Sequence, residues 1–210
     1  MRTLVLCDDT WHPAAIARQG LEPLRQHGFD CEFLENCAEF SAERLNEFSL
    51  VVLAKANITS SALEFPWLTL ESQMVFFDFI RSGGGLVVMH SGTSQYDQLP
   101  VMTDLIGGAF VSHPAQCAVK LEPQIGHALT VGSEPFAVQD EHYFVAMSHS
   151  RVDVFLYSRS EHGVQPAGWM RTEGIGRVCV LTPGHNLEVW LHPAFQKLVL
   201  NALRWAAKIN

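Results

Sequence analysis

Short apolar runs recur along the chain, and a polar turn follows each of them. Four of these runs come before residue 91, and a fifth lies late in the chain, in the stretch GRVCVLTPGH. Parallel strands that are buried on both faces show this pattern, because neither side of the strand meets water. The pattern predicts five core strands, at residues 3–7, 31–35, 50–55, 86–90 and within 176–185.

Segments with apolar residues at helical spacing separate these strands. The segment 13–28 starts with Pro13 and ends with Gly28, which suit the first turn and the C-terminal cap of a helix, and Pro23 predicts a kink or a break inside it. Further helices are predicted at residues 41–48, 71–85 and 192–208. The alternation of strands and helices predicts an α/β fold, with a mainly parallel central sheet and helices on both faces.

The pattern changes between residues 111 and 171, where short strand-like pieces alternate with turns. This stretch predicts an antiparallel extension of the central sheet. No repeat, low-complexity tract or linker separates it from the rest, so we expect a single domain over residues 1–210. The opening MRTLVLCDD predicts a first strand and not a secretory leader.

The composition of the chain limits which partners it is expected to bind and in which compartment it is expected to work. The chain is 48% hydrophobic and carries a net charge of −8 without a basic run, so we expect neither a nucleic-acid nor a membrane partner. Five cysteines without a CxxC pair predict free thiols and a cytoplasmic location. The glycines at 83–85 precede a strand and not a helix, so no nucleotide cofactor is expected.

Histidines are the first candidates for functional residues, since the chain has ten of them. Ligands of an open parallel sheet bind beyond the carboxyl ends of its strands, and His12, His90 and His185 follow three such ends. We therefore expect one shared site. Together with a carboxylate, these imidazoles could bind a divalent metal such as Zn or Mn, or act without metal as general acid and base. His113 and His127 are expected to be turn residues.

The segment DEHYF supplies the carboxylate. Side chains alternate along an extended chain, so Glu141 and Tyr143 face one way, while Asp140 and His142 face the other. The sequence leaves open which pair faces the site. Ser91 is a poor nucleophile candidate, because its turn is H-S-G-T-S and not G-x-S-x-G.

Five stretches occur in the order seen in one family: GGGLVVMHSG, GHALT, DEHYF, GRVCVLTPGH and HPAFQKLVLNALRWA. The chain resembles the ThuA-like (trehalose utilisation) family, which has a flavodoxin-like fold of the class I glutamine amidotransferase-like superfamily. In that family a histidine replaces the amidotransferase cysteine, and the corresponding residue here is His90. The resemblance therefore implies that the chain is not a glutaminase.

The resemblance also implies roles for individual residues. The catalytic candidates are His90, His185, Glu141 and Tyr143. The candidate metal ligands are His90, His185 and Glu141. Residues at the strand ends and in the DEHYF segment add the candidates for substrate binding: Asp9, Trp11, His12, Asn57, Ser91 and His142.

The implied function is an enzyme of trehalose or keto-disaccharide catabolism: a hydrolase, lyase or isomerase of a small sugar. One alternative is a non-catalytic carbohydrate-binding or accessory protein on the same scaffold. Another is a hydrolase that uses Ser91. The sequence leaves the oligomeric state open, a homo-oligomer included.

Overall fold

The computed structural model describes residues 1–70, 72–148 and 151–209, which form eleven strands and six helices. The strands are β1 (Arg2–Cys7), β2 (Asp30–Leu34), β3 (Leu50–Ala54), β4 (Gly85–Met89), β5 (Gly108–Ser112), β6 (Cys117–Pro123), β7 (Phe136–Asp140), β8 (Phe144–Met147), β9 (Asp153–Ser160), β10 (Gly163–Glu173) and β11 (Gly176–Leu181). The helices are α1 (Ala14–Leu21), α2 (Ala42–Leu45), α3 (Gln73–Arg81), α4 (Pro100–Ile106), α5 (Leu187–Leu191) and α6 (Pro193–Ala206). None of these helices is both long and apolar enough to cross a bilayer.

Nine of the described strands form one mixed sheet, in the order β2-β1-β3-β4-β11-β10-β9-β6-β7. The first five strands of this order are parallel to one another, and the last four continue the sheet with antiparallel pairing. The parallel part has the flavodoxin-like order, with the late strand β11 in the fifth place. The predicted parallel sheet and its antiparallel extension are thus confirmed.

Two hydrophobic cores cover the two faces of the parallel strands. Val5 and Cys7 of β1 face one core, which α1, α5 and α6 cover, whereas Leu4 and Leu6 face the other, which α2, α3 and α4 cover. Alternate side chains of one strand enter opposite cores because a strand has a two-residue period. This double burial holds the carboxyl ends of the strands rigidly, and the candidate site lies there.

Local signals in the sequence set several boundaries. The predicted helix over 13–28 does break at Pro23: α1 stops at Leu21, a 3₁₀ turn follows over Glu22–His27, and Gly28 ends it at a φ of 88°. The predicted helix over 71–85 is shorter, as α3, and Glu71 lies outside the described residues.

One of the strand-like pieces expected between residues 111 and 171, at 135–145, is not a single strand. It divides into β7, which pairs with β6 in the large sheet, and β8, which pairs with β5 in a separate two-stranded sheet. The three residues between them, 141–143, carry no strand pairing. The sequence did not show this division because the apolar alternation runs on through the point where the chain leaves one sheet for the other.

Sequence analysis missed helix α4. It begins with Pro100 and ends at Gly107, which has a φ of 87°. Proline at the first turn and glycine just past the end are typical helix boundaries, so the signal was present. The helix is short, and this made its periodicity hard to detect.

We expect all five thiols to be free and three of them to be slow to react. The structure has no disulfide among its cysteines, and burial raises the pKa of Cys7 to about 12 and of Cys31 and Cys37 to about 11. These three residues therefore form few thiolates near neutral pH. Thiol titration without reductant should return five thiols from denatured protein, and these three should react slowly in native protein. A loss of two thiols in the denatured sample would contradict the prediction.

Candidate functional site

Three histidines from distant parts of the chain meet at the carboxyl edge of the sheet. His12 lies in the loop after β1, His90 directly follows β4, and His185 follows β11. The ring centroid of His12 lies 4.8 Å from that of His90 and 5.1 Å from that of His185. The centroids of His90 and His185 are 5.6 Å apart. The three histidines named from the sequence therefore lie together at one edge of the sheet.

Glu141 completes the group from the antiparallel extension. Its Oε2 lies 3.4 Å from His90 Nε2 and 3.2 Å from His185 Nδ1. One potential ligand atom from each of the four residues, His12 included, lies within 4.8 Å of every other. We call these four residues the His/Glu cluster. Of the two pairs in DEHYF, Glu141 and Tyr143 face the pocket.

The inner ring nitrogens of the cluster are buried: His12 Nε2, His90 Nε2 and His185 Nδ1. Among the described residues His12 Nε2 makes no hydrogen bond, and the other two face only the Glu141 carboxylate. The outer nitrogens of two rings are held: His12 Nδ1 lies 2.7 Å from Asp9 Oδ1, and His90 Nδ1 lies 2.8 Å from the Thr182 carbonyl oxygen. Both of these oxygens accept a hydrogen bond, which favours a proton on Nδ1 and leaves the Nε2 lone pair facing the cluster.

Two buried carboxylates hold the loops that carry the histidines. Asp9 accepts hydrogen bonds from the backbone N–H groups of Trp11, His12 and Ala56. Asp140 accepts from the backbone N–H groups of Gly184, at 2.8 Å, and His185, at 3.0 Å. The cluster is therefore rigid before any ligand binds.

Neighbouring charges set the protonation of the cluster. Burial raises the pKa of Glu141, but the facing imidazoles of His185 and His90 outweigh burial and hold that pKa well below its usual value. Glu141 in turn raises the pKa of His185, whereas burial lowers the pKa of His12. At neutral pH the site therefore presents an ionised carboxylate and a neutral His12.

A tight turn places His90 at the end of β4. His90 has a φ of 43°, in the left-handed region, and begins the 3₁₀ turn His90–Thr93. A Cβ at Gly92 would lie 2.2 Å from the Leu53 carbonyl oxygen and 2.8 Å from Val88 Cγ1. Only glycine fits this close approach, so the turn depends on it.

Three residues of the His/Glu cluster, His12, Glu141 and His185, line a pocket of about 600 Å³, and His90 is buried against Tyr143. The residues that line this pocket are Trp11, His12, Ala56, Ser94, Gln95, Phe110, His113, Glu141, Tyr143 and His185. Tyr143 stacks on His90, with ring centroids 4.2 Å apart, and Trp11 is 57% exposed at the rim. The pocket combines aromatic surfaces with titratable groups, as binding sites for small polar molecules do.

Two of the six candidates for substrate binding, Trp11 and His12, line the pocket. The other four are buried behind its wall: Asp9, Asn57, Ser91 and His142. Asn57 accepts a hydrogen bond from the Leu68 N–H, and His142 is fully buried between the hydroxyl groups of Ser158 and Ser160. We assign these four no contact with substrate, since their side chains are enclosed by the protein.

His113 is a pocket residue that the sequence did not single out. Its Nε2 lies 3.5 Å from Glu141 Oε1, and its Nδ1 lies 2.8 Å from the Pro114 carbonyl oxygen. Sequence analysis placed it in a turn against the extension. Its role depends on the contact between the ends of β5 and β7, which are far apart in the chain, and no local pattern carries that information.

We expect Gly92→Ala to destabilise the protein. The added methyl group meets backbone, which cannot move aside as a side chain can, so a loss of about 1–3 kcal/mol or more of unfolding free energy is expected. Urea denaturation measures it. An unchanged unfolding free energy would show that the turn adapts and that its geometry is not fixed by this contact.

Comparison with known proteins agrees with the fold. A family model for trehalose utilisation, ThuA, matches residues 5–206. No curated protein matches the chain by sequence. Similar solved structures include a ThuA-like protein from Parabacteroides merdae ATCC 43184, at 16% identity and a TM-score of 0.78, with 99% of this chain and 90% of that chain covered.

Two other similar structures show how widely this fold is used. A cytoplasmic protein from Salmonella typhimurium LT2 is 14% identical with a TM-score of 0.72, covering 98% of this chain and 99% of that one. A cold-adapted beta-galactosidase from Rahnella sp. R3 is 13% identical with a TM-score of 0.69, covering 99% of this chain but 31% of that one. Because the ThuA model matches nearly the whole chain, the chain belongs to the ThuA (trehalose utilisation) family.

Proposed function

We propose that the chain is an enzyme that converts trehalose or a keto-disaccharide derived from it, at a metal ion held by the His/Glu cluster. One observation carries the proposal: three buried imidazole nitrogens and the Glu141 carboxylate converge beside the pocket, with one potential ligand atom of each residue within 4.8 Å of every other. The choice of a carbohydrate as substrate rests on the family, since its model is one of trehalose utilisation. The reaction is a hydrolysis, an elimination or an isomerisation of the sugar.

The inner nitrogens support a bound cation. A buried polar atom without a hydrogen bond costs about 1–3 kcal/mol, and such atoms are rare in folded proteins. His12 Nε2 makes no hydrogen bond among the described residues, and His90 Nε2 and His185 Nδ1 face only the Glu141 carboxylate, at 3.4 and 3.2 Å. A cation between these atoms would bind the carboxylate and the ring nitrogens together.

The donor set fits a borderline divalent metal. Three imidazole nitrogens and one carboxylate oxygen suit Zn or Mn, and the held outer nitrogens of His12 and His90 are the usual support of metal-bound histidines. We therefore add His12 to the ligands expected from sequence, which were His90, His185 and Glu141. The metal would act as a Lewis acid on a sugar oxygen.

The chain's own residues do the remaining work in this proposal. Tyr143 stays a neutral phenol, because burial raises its pKa, and its ring forms a wall of the pocket. The partly exposed His113 can exchange a proton with a bound hydroxyl group, as its Nε2 faces the pocket side of Glu141. A cytoplasmic location belongs to the proposal too, supported by five free cysteines.

A carbohydrate-binding protein without catalysis is the second candidate. The exposed indole of Trp11 at the pocket rim favours it, because aromatic surfaces pack against sugar rings. The two candidates differ in what the cluster does. A binding protein needs no converging histidines, so loss of the cluster should then leave sugar affinity unchanged.

We expect one divalent metal ion per chain. Elemental analysis of protein purified without a histidine tag should find one Zn or Mn ion per chain. Metal at 100 times its Kd should add about 2.7 kcal/mol to the unfolding free energy. Glu141→Gln should lower the affinity for the metal by at least about tenfold. His162→Gln is the matched control, since His162 is an exposed histidine in the turn between β9 and β10, and it should retain the metal.

We expect His90→Gln to reduce turnover of trehalose or of its keto derivative by at least ~10²-fold. His185→Gln should do the same, and the double variant should be little worse than either one, because both residues serve one site. His90→Gln also loses the contact with Thr182, so a cost of about 1 kcal/mol in stability is expected. Full turnover in a folded His90→Gln protein would rule out this site.

A further inference from the structure

Most of the non-glycine residues with a left-handed backbone conformation lie beside the pocket. The described residues hold four such positions: Asp8 at a φ of 77°, His90 at 43°, Gln95 at 63° and Lys208 at 58°. The first three lie in the loops that follow β1 and β4, beside the pocket, and Lys208 lies past the C-terminal helix. Such conformations are uncommon for residues with a Cβ and concentrate at functional sites.

Two of the three positions beside the pocket have an explanation within the protein. The Asp8 carboxylate accepts hydrogen bonds from the backbone N–H groups of Ser61 and Ala14, so its conformation joins two loops. The conformation of His90 aims its ring into the His/Glu cluster. Gln95 has no such explanation, because its carboxamide has no hydrogen-bond partner among the described residues.

The residues on both sides of Gln95 fix its backbone. Ser94 is buried and its carbonyl oxygen accepts a hydrogen bond from the Asn57 N–H. Tyr96 is buried and donates its hydroxyl hydrogen to the Lys55 carbonyl oxygen. Between these two anchors, Gln95 is exposed and lines the pocket. Glycine or asparagine would adopt the same backbone more easily, so the longer side chain itself needs a reason.

The chemistry of the carboxamide indicates its ligand. A glutamine side chain offers two donors and an acceptor without charge, which matches a hydroxyl group that both donates and accepts. Trp11 lines the same pocket with an indole more than half exposed, and an indole packs against the apolar face of a sugar ring. Together they form a surface for a neutral polyhydroxylated ring.

We infer that Gln95 is a specificity-determining residue: its carboxamide hydrogen-bonds the hydroxyl groups of a neutral sugar ring at the mouth of the pocket, and its left-handed backbone is retained for that contact. The inference rests on the proposed function, because it places a carbohydrate in this pocket. It adds a recognition contact that belongs neither to the His/Glu cluster nor to the residues the sequence marked.

Gln95→Gly tests the inference in the full-length, metal-loaded protein. Glycine relieves the backbone and removes the carboxamide, so the Tm should stay constant or rise by up to about 4 °C while affinity for the sugar falls about tenfold. The probes are α,α-trehalose and its keto derivative, titrated by calorimetry. Lys208→Gly is the matched control: it relieves the same backbone strain far from the pocket and should leave sugar affinity unchanged.

The outcomes separate this inference from the proposed function. If the wild-type protein binds a probe and Gln95→Gly binds it equally well, the inference alone is overturned. If the wild-type protein binds neither probe, the proposed function fails and the inference fails with it. A tenfold loss in Gln95→Gly with an undiminished Tm, and no loss in Lys208→Gly, supports the inference, because a purely structural role would not lower affinity alone.

Discussion

The Glu141 carboxylate, facing three imidazoles, is the interaction on which the site depends. All three rings follow parallel strands of the central sheet, β1, β4 and β11, and Glu141 follows the antiparallel strand β7. The contact therefore joins the flavodoxin-like part of the sheet to its extension. Without the extension, the histidines at the sheet edge would have no carboxylate, and the pocket would lack Tyr143 and His113 as walls.

Rigid support behind the cluster holds its histidines in place. Asp9 and Asp140 are each buried and each accept hydrogen bonds from backbone N–H groups of loops that carry histidines. Burial on both faces of β1, β4 and β11 holds the strand ends from which those loops start. The two cores thus stabilise the positions of the rings in the cluster.

The elbow after β4 shows how one backbone geometry can serve different chemistry. A left-handed residue at a strand end, with a glycine two residues later in close contact with β3, projects a side chain into the His/Glu cluster. In this chain the projected group is the imidazole of His90. An imidazole can bind metal or transfer a proton, whereas thiol chemistry needs the cysteine that this position lacks.

The sequence by itself determined the parallel sheet, the break at Pro23, the turn at Gly92 and the place of three histidines after strand ends, because apolar periodicity and strand ends are local patterns. Tertiary structure alone decided that Asp9 supports His12 from behind, that His142 is enclosed, and that His113 and Gln95 line the pocket. These outcomes depend on contacts between segments far apart in the chain. Alternation limits which side chains can face together, but only packing decides which face meets the pocket.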